Sequence, residues 1–340
     1  MEVHYLHAGG HGQLIRLGLV GYGYWGPNYA RTIEELPDAT LTWCADVSET
    51  ARAAAHSAYP QTRVTPHYQE LLDAPDCDAV IVAAPTRYHF EIARAAFDAR
   101  KHLLVEKPLT DSFATAAQLA DLADRNAVVA MVGHIFRYHP VVRYVENELR
   151  SPATGPVRFI AASRLGYSPI REDVDALWDL APHDISMIHA FLRERPTHAF
   201  AVGHSYYPGD HADVVFGTLR FPSGALASLR LSWAHPFKER RIDVVAENAS
   251  FVFDDLAAPK LLRYDGLELD RNGATTTPMV PTIEPLRAQL EHFIECIERQ
   301  STPRTGFRDG EAVVATLEAL TASMRSGAPA FVPQNSPQIA

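Results

Sequence analysis

A lysine and a histidine, in two separate motifs, have the chemistry to handle the proton of a hydroxyl group. Lys107 lies in Glu106-Lys107-Pro108, directly after an apolar run of strand length. Pro108 biases Lys107 toward an extended conformation, so its side chain can leave the strand end. There it could hydrogen-bond a hydroxyl and stabilise a developing alkoxide. For an isolated lysine, a solvated position after a strand is the alternative interpretation.

The second motif, residues 179–184, contains the histidine. Pro182 fits the first position of a helix, so His183 is expected in the first helical turn. The positive helix end would lower the pKa of His183, and Asp179 would raise it. Because histidine titrates near neutral pH, His183 is a candidate general base with Asp179 beside it. The alternative is a capping aspartate followed by a core histidine.

A glycine-rich turn near the start of the chain is typical of dinucleotide binding. An apolar run ends at residues 21–26 (GYGYWG), a helical pattern follows, and the next apolar run ends in Asp46. Gly21 allows the tight turn, Gly23 lets the backbone approach a pyrophosphate, and Gly26 lets the helix pack close to the strand. The amides and dipole of that helix would face the phosphates.

Asp46 predicts which dinucleotide is bound. Its carboxylate would accept hydrogen bonds from free ribose hydroxyls, and no arginine immediately follows it to neutralise a 2′-phosphate. We therefore expect NAD as the cofactor, in preference to NADP. The candidate cofactor contacts, which include residues after two further strand ends, are Gly21, Gly23, Tyr24, Trp25, Gly26, Asp46, Pro85, Thr86, His89, Glu106 and Lys107.

The candidate substrate contacts are Phe136, Arg137 and Arg164, which follow predicted strands where two domains should face each other. Either arginine could hold an anionic group of a substrate or cofactor. A surface salt bridge is an equally good interpretation of each.

The order of predicted elements divides the chain into two domains. Strands alternate with helices over residues 14–135, which predicts an α/β Rossmann domain with a doubly wound parallel sheet. After a breaker-rich junction at residues 151–156, successive strands joined by turns predict a mostly antiparallel sheet. We therefore expect an α+β substrate-binding and oligomerisation domain over 136–340, whose closing helix could pack back on the first domain. Residues 1–13 are expected to form a flexible tail.

The composition of the chain argues against several classes of protein. The net charge of −10 over 340 residues argues against nucleic-acid binding. Three scattered cysteines suit a reducing compartment, and no apolar run reaches membrane-spanning length. The first dozen residues lack the features of a signal peptide, so we expect a cytoplasmic protein. His4, His7 and His11 are spaced such that they could hold a metal, but we expect none.

Together, the glycine turn, Glu106-Lys107-Pro108, and Asp179 four residues before His183 resemble the Gfo/Idh/MocA family, the glucose–fructose oxidoreductase and inositol dehydrogenase group. The resemblance implies that Lys107 lies near the nicotinamide and the reacting hydroxyl. It also implies that Asp179 and His183 bind the substrate, with His183 as the acid/base. The open face of the second sheet would then build dimers or tetramers. In this chain, Ala84-Pro85 stands where many relatives have a Thr-Pro pair.

The resulting hypothesis is an NAD-dependent dehydrogenase or reductase acting on a ring secondary alcohol or ketone of a sugar. The sequence of residues 178–184 resembles that of family members that act on nucleotide-linked sugars. An inositol or aminocyclitol dehydrogenase and a keto-sugar reductase are alternatives. A non-catalytic NAD-sensing regulator is the alternative from another class, although a sensor need not retain Lys107, Asp179 and His183 together.

Overall fold

The computed structural model describes residues 14–167, 171, 174–266 and 275–334. The predicted tail, with its three histidines, therefore lies outside the described residues.

A parallel sheet of short, buried strands forms the first half of the described chain. Its strands are β1 (Ile15–Val20), β2 (Ala39–Ala45), β3 (Arg63–Thr65), β4 (Ala79–Val82), β5 (His102–Val105) and β6 (Ala130–Val132). Their order is β3-β2-β1-β4-β5-β6, so the direction of winding reverses between β1 and β4. This is the doubly wound arrangement in which ligands bind outside the carboxyl ends of the strands.

Helices connect these strands, as the alternating pattern predicts. They are α1 (Gly26–Glu34), α2 (Glu49–Ala58), α3 (Tyr68–Asp73), α4 (His89–Asp98), α5 (Phe113–Arg125) and α6 (Pro140–Glu148), with short 3₁₀ turns at Thr86–Tyr88 and Ile135–Tyr138. The α1 side chains Tyr29 and Ile33 are fully buried against the sheet. The apolar spacing of that helix thus follows the face that it buries.

A nine-stranded sheet forms the second half. Its strands are β7 (Val157–Tyr167), β8 (His198–His204), β9 (Val214–Arg220), β10 (Leu226–Ser232), β11 (Ala234–Ala246), β12 (Ala249–Asp254), β13 (Leu261–Asp265), β14 (Thr275–Thr276) and β15 (Ala330–Phe331). Their order is β14-β13-β12-β11-β7-β10-β9-β8-β15. Among the described strand pairs of this sheet, only β7 and β10 run parallel. The predicted fold class, a Rossmann sheet followed by a mostly antiparallel α+β domain, is confirmed.

The helix that carries His183 begins earlier than predicted. This helix, α7 (Ala176–Leu192), is capped by the Asp175 side chain, which accepts a hydrogen bond from the Trp178 amide at 2.9 Å. Asp175 is the stronger start signal because an N-cap carboxylate satisfies a free helix amide. Pro182 therefore lies inside the helix, and the prediction that His183 occupies the first turn is wrong.

The last two helices, α8 (Pro285–Arg299) and α9 (Phe307–Ser326), tie the two sheets together. Phe293 and Leu290 of α8 share one apolar core with Tyr29 and Ile33 of α1. At the start of α8, Glu284 accepts a hydrogen bond from Arg31 at 2.5 Å. The core of the first sheet is thus completed by a helix that follows all but the last strand of the second sheet in the chain.

A substitution in α8 tests this packing. We expect Phe293→Ala to lower the free energy of unfolding by about 3 kcal/mol or more, because it removes a fully buried ring and leaves a cavity. Urea unfolding of the cofactor-free protein measures the change. The control Glu298→Ala alters an exposed position of the same helix and should change stability by less than about 0.5 kcal/mol. Similar effects from both substitutions would contradict the packing described.

Candidate active site

The candidate active site is a cleft of about 610 Å³ between the first sheet and α7. It lies at the carboxyl edge of the parallel strands, where ligands of such sheets bind. The predicted site residues in its wall are Tyr24, Trp25, Lys107, Phe136, Arg164, Asp179 and His183. Folding therefore brings the glycine turn, the lysine motif and the histidine motif to one place.

Lys107 bridges the end of β5 and α7. Its Nζ donates a hydrogen bond to the backbone carbonyl of Asp179 at 2.9 Å. Pro182 has no backbone N–H, so α7 loses one helix hydrogen bond in this turn. The helix bond lost at Pro182 is the one to the Trp178 carbonyl, and Lys107 binds the neighbouring carbonyl, that of Asp179. Burial lowers the pKa of Lys107; the Arg164 and Arg171 charges act in the same direction, and the Asp179 and Glu106 carboxylates oppose it.

Glu106 is held behind the lysine and not in the cleft wall. Its Oε1 accepts a hydrogen bond from the Tyr29 hydroxyl at 2.6 Å, and its Oε2 accepts one from the Lys107 amide at 3.0 Å. Gly133 leaves room for this carboxylate, because a Cβ there would lie 3.1 Å from Glu106 Oε1. Burial raises the pKa of Glu106. Its contacts are those of a residue that positions Lys107.

His183 lies on the cleft side of α7 and is 9% exposed. Its Nδ1 is buried without a hydrogen-bond partner among the described residues, which leaves Nε2 as the nitrogen available to the cleft. Burial lowers the pKa of His183 well below 6.5, and the positive charges of Lys107 and Arg164 lower it further. A neutral imidazole in this position can accept a proton.

Asp179 is oriented by residues other than His183. One of its carboxylate oxygens accepts a hydrogen bond from Arg171 and the other from the indole of Trp233, each at 3.1 Å. It lies one helical turn before His183, on the same side of α7. The Asp179 carboxylate is therefore held in place by Arg171 and Trp233, one helical turn from His183.

Arg164 lines the cleft, but its guanidinium is already paired. It binds Asp184 through two hydrogen bonds, at 2.7 and 3.1 Å, and both residues are buried. Its Cζ lies 4.6 Å from the centre of the Phe136 ring, which in turn lies 5.1 Å from the His183 ring. The Phe136 ring thus lies between the Arg164 guanidinium and the His183 ring.

Two predicted site residues are held away from the cleft. Arg137 is buried and forms an ion pair with Glu146 at 2.8 Å, so its charge is not directed at a ligand. The ring nitrogens of His89 lie 2.8 Å from the Ala84 carbonyl and 3.0 Å from the Pro108 carbonyl. His89 therefore links the loops after β4 and β5. Its placement gives it a supporting role rather than a cofactor contact.

The glycine turn fits a dinucleotide. Gly21 has a φ of +99°, and a Cβ there would lie 2.7 Å from the carbonyl of Ala83, whereas a Cβ at Gly23 would meet no described atom within 4 Å. No described side chain caps the start of α1, which leaves the positive end of this helix to a ligand. Pro85 and Thr86 follow the strand whose end Gly21 touches.

Asp46 lies at the end of β2, where it receives the Tyr22 and Ser48 amides at 2.6 and 2.8 Å. These bonds fix the carboxylate beside the glycine turn. The nearby Arg52 uses one nitrogen to bind the carbonyls of Asp46 and Val47 at 2.8 and 3.0 Å. The arrangement matches a carboxylate aimed at ribose hydroxyls.

Several residues at the site were not anticipated from the sequence. Trp233 is buried behind the cleft wall and orients Asp179, and the basic residues Lys238, Arg240 and Lys260 line the cleft. The basic pattern around residue 240 was visible, but its position over the cleft depends on the pairing of β11 with β7. No sequence signal connects Trp233 with Asp179, since they are 54 residues apart.

Comparison with family models covers most of the chain. Residues 15–134 match the Gfo/Idh/MocA oxidoreductase family, described as having an NAD-binding Rossmann fold. Residues 142–252 match the C-terminal domain of the same family. The resemblance predicted from the motifs is therefore confirmed, and so is NAD as the cofactor.

Individual relatives are similar over nearly their whole length. The chain is 29% identical over 318 residues to UDP-N-acetylglucosamine 3-dehydrogenase from Acidithiobacillus ferrooxidans, covering 90% of this chain and 95% of that protein. The solved structure of that name superposes with a TM-score of 0.81 at 26% identity, covering 92% and 98%. A levoglucosan dehydrogenase in complex with NADH and levoglucosan gives a TM-score of 0.87 at 22% identity, covering 94% and 100%; at this identity the likeness concerns the fold.

The electrostatics of the cleft predict the charge state of His183. We expect its ring to remain neutral as the pH falls through 6.5, because burial and two neighbouring cations lower its pKa. The Cε1–H resonance in NMR spectra of the protein measures this, with assignment by its loss in His183→Asn and free histidine as the reference. A resonance that is half-shifted at pH 6.5 or above would contradict the described environment.

Proposed function

The chain belongs to the Gfo/Idh/MocA oxidoreductase family, and from this premise we propose that it transfers a hydride between NAD and a ring carbon of a nucleotide-linked sugar. The observation that carries the proposal is the convergence of Lys107, Asp179 and His183 on one cleft beside the glycine turn. A secondary alcohol is oxidised, or the corresponding ketone is reduced, in that cleft.

The residues divide the chemistry between them. NAD supplies the hydride acceptor when bound. In the oxidative direction, His183 takes the hydroxyl proton through its free Nε2, which the lowered pKa keeps unprotonated before the reaction. The Lys107 ammonium donates a hydrogen bond to the same oxygen as negative charge develops there. The Asp179 carboxylate places a negative charge near Lys107, and the Asp179 backbone carbonyl accepts the hydrogen bond from Lys107 Nζ.

The substrate class rests on the relatives and on the cleft. UDP-N-acetylglucosamine 3-dehydrogenase is similar over 95% of its length, and its name specifies a nucleotide-linked sugar. An inositol dehydrogenase or keto-sugar reductase would use the same three residues, so these remain alternatives within the same chemistry. A non-catalytic sensor would not need a lysine and a neutral histidine presented to one cleft.

The exposed face of the nine-stranded sheet is suited to contact a second copy of this chain. Val202, Phe216, Leu226 and Phe159 lie on neighbouring strands β8, β9, β10 and β7, and each is about half exposed. Val202 lies opposite Phe216, and Leu226 lies opposite Phe159. Two such apolar pairs on one exposed sheet face are typical of protein interfaces. We therefore propose a homodimer or homotetramer built through the nine-stranded sheet.

The reducing cytoplasm is the proposed compartment. Cys44, Cys77 and Cys296 are buried free thiols, as expected where disulfides do not form. In the described part of the chain, no helix is both long and apolar enough to cross a membrane.

Replacement of the lysine tests the proposal. We expect Lys107→Met to lower kcat by about 100-fold to 1,000-fold while NADH still binds, because the variant loses the donor to the developing alkoxide. NADH formation from UDP-N-acetylglucosamine and other nucleotide-linked sugars measures turnover, and fluorescence titration measures NADH binding.

The matched control is Arg299→Met, which replaces an exposed cation at the end of α8. It should leave both turnover and NADH binding as in the unmodified protein. Unchanged turnover in Lys107→Met would remove the catalytic role of Lys107, whereas a simultaneous loss of NADH binding would make it a cofactor contact only.

A further inference from the structure

One wall of the cleft carries an excess of positive charge that hydride transfer does not use. Arg240 lies on the side of β11 that also carries the buried core residues Ile242 and Val244, so the strand alternation directs it inward. Before these core residues in β11, the same side of the strand faces the cleft. Lys238, two residues earlier, and Lys260, in the turn after β12, line the cleft beside it.

The wall is only partly neutralised. Asp255 binds Lys260 at 2.7 Å and lies 4.0 Å from Arg240. No carboxylate of the described residues lies within ion-pair distance of Lys238. Three cations thus face one carboxylate, in a chain whose overall charge is −10. Such a local reversal of sign concentrates anionic ligands.

Arg240 is half-buried, and its contact with Asp255 is long. Burial lowers its pKa, the nearby Arg164 charge lowers it further, and Asp255 only partly opposes them. Arg164 itself is satisfied by Asp184. An arginine that is half-buried beside another cation is costly unless an anion completes the site. Guanidinium groups bind phosphate oxygens through paired hydrogen bonds.

We propose that Arg240, Lys238 and Lys260 bind the diphosphate of a nucleotide-linked sugar and thereby hold its sugar ring at Lys107 and His183. This inference rests on the proposed function and adds the group by which the substrate is recognised. The diphosphate of NAD is expected at the start of α1, where no described side chain caps the helix. Tyr24 of the glycine turn lies close enough to Arg240 to interact with its charge, so the cofactor is the competing source of phosphate.

The experiment separates the two sources of phosphate. UDP, dTDP and inorganic pyrophosphate are titrated into the protein saturated with NADH, and binding is followed by calorimetry. We expect Arg240→Gln and Lys238→Gln each to weaken UDP binding about 10-fold, because each removes a charge-assisted hydrogen bond. Added salt should weaken binding to the unmodified protein, whereas NADH affinity should stay the same in both variants.

The matched control is Arg241→Gln. Arg241 neighbours Arg240 on the same strand, but it is exposed on the opposite side and pairs with Asp243 at 2.8 Å. It should bind UDP as the unmodified protein does. The proposal is overturned if none of the three probes binds, if UDP binding is unchanged in Arg240→Gln, or if NADH affinity falls with it.

Failure of this inference and failure of the proposed function can be distinguished. Nucleoside diphosphate binding requires no turnover, so its loss in the wall variants supports the site even if no sugar is oxidised. Oxidation of free sugars without binding of any of the three probes would retain the oxidoreductase and remove the diphosphate site.

Discussion

The hydrogen bond from Lys107 Nζ to the Asp179 carbonyl connects the two parts on which the site depends. It joins the end of a parallel strand to the turn of α7 in which Pro182 interrupts the helix bonding. Glu106 and Tyr29 hold the lysine from behind. The Trp233 indole holds Asp179 from the side. The proposed catalytic lysine is thereby fixed between a Rossmann edge and a helix packed on a second sheet.

Burial then determines the proton chemistry of the cleft. The pKa of His183 is lowered by its enclosure and by the neighbouring cations, which keeps the imidazole neutral and able to accept a proton. Arg164 contributes positive charge to the cleft while its guanidinium remains paired with Asp184. The same excess of positive charge extends along β11, away from the reacting groups. Arg240 contributes to both, because its charge lowers the pKa of His183 and it lines the proposed diphosphate site.

Local patterns predicted the fold and much of the site, because each depends on neighbours in the chain. The glycine turn, the alternating strands and helices, and the lysine and histidine motifs are of this kind. Long-range contacts decided the rest. Arg137 is occupied by Glu146 across a turn, and α8 completes a core begun by α1. Pro182 predicts a helix start at residue 182, whereas α7 begins directly after the Asp175 cap.

The most direct measurement of the central claim is NADH formation by the purified protein with NAD and three substrate classes: nucleotide-linked sugars, free sugars and inositols. The corresponding keto-sugars with NADH test the reverse direction. We expect hydride transfer with a nucleotide-linked sugar or its ketone, at a rate well above that with the free sugar. Tight NADH binding without transfer to or from any member of the panel would contradict the account.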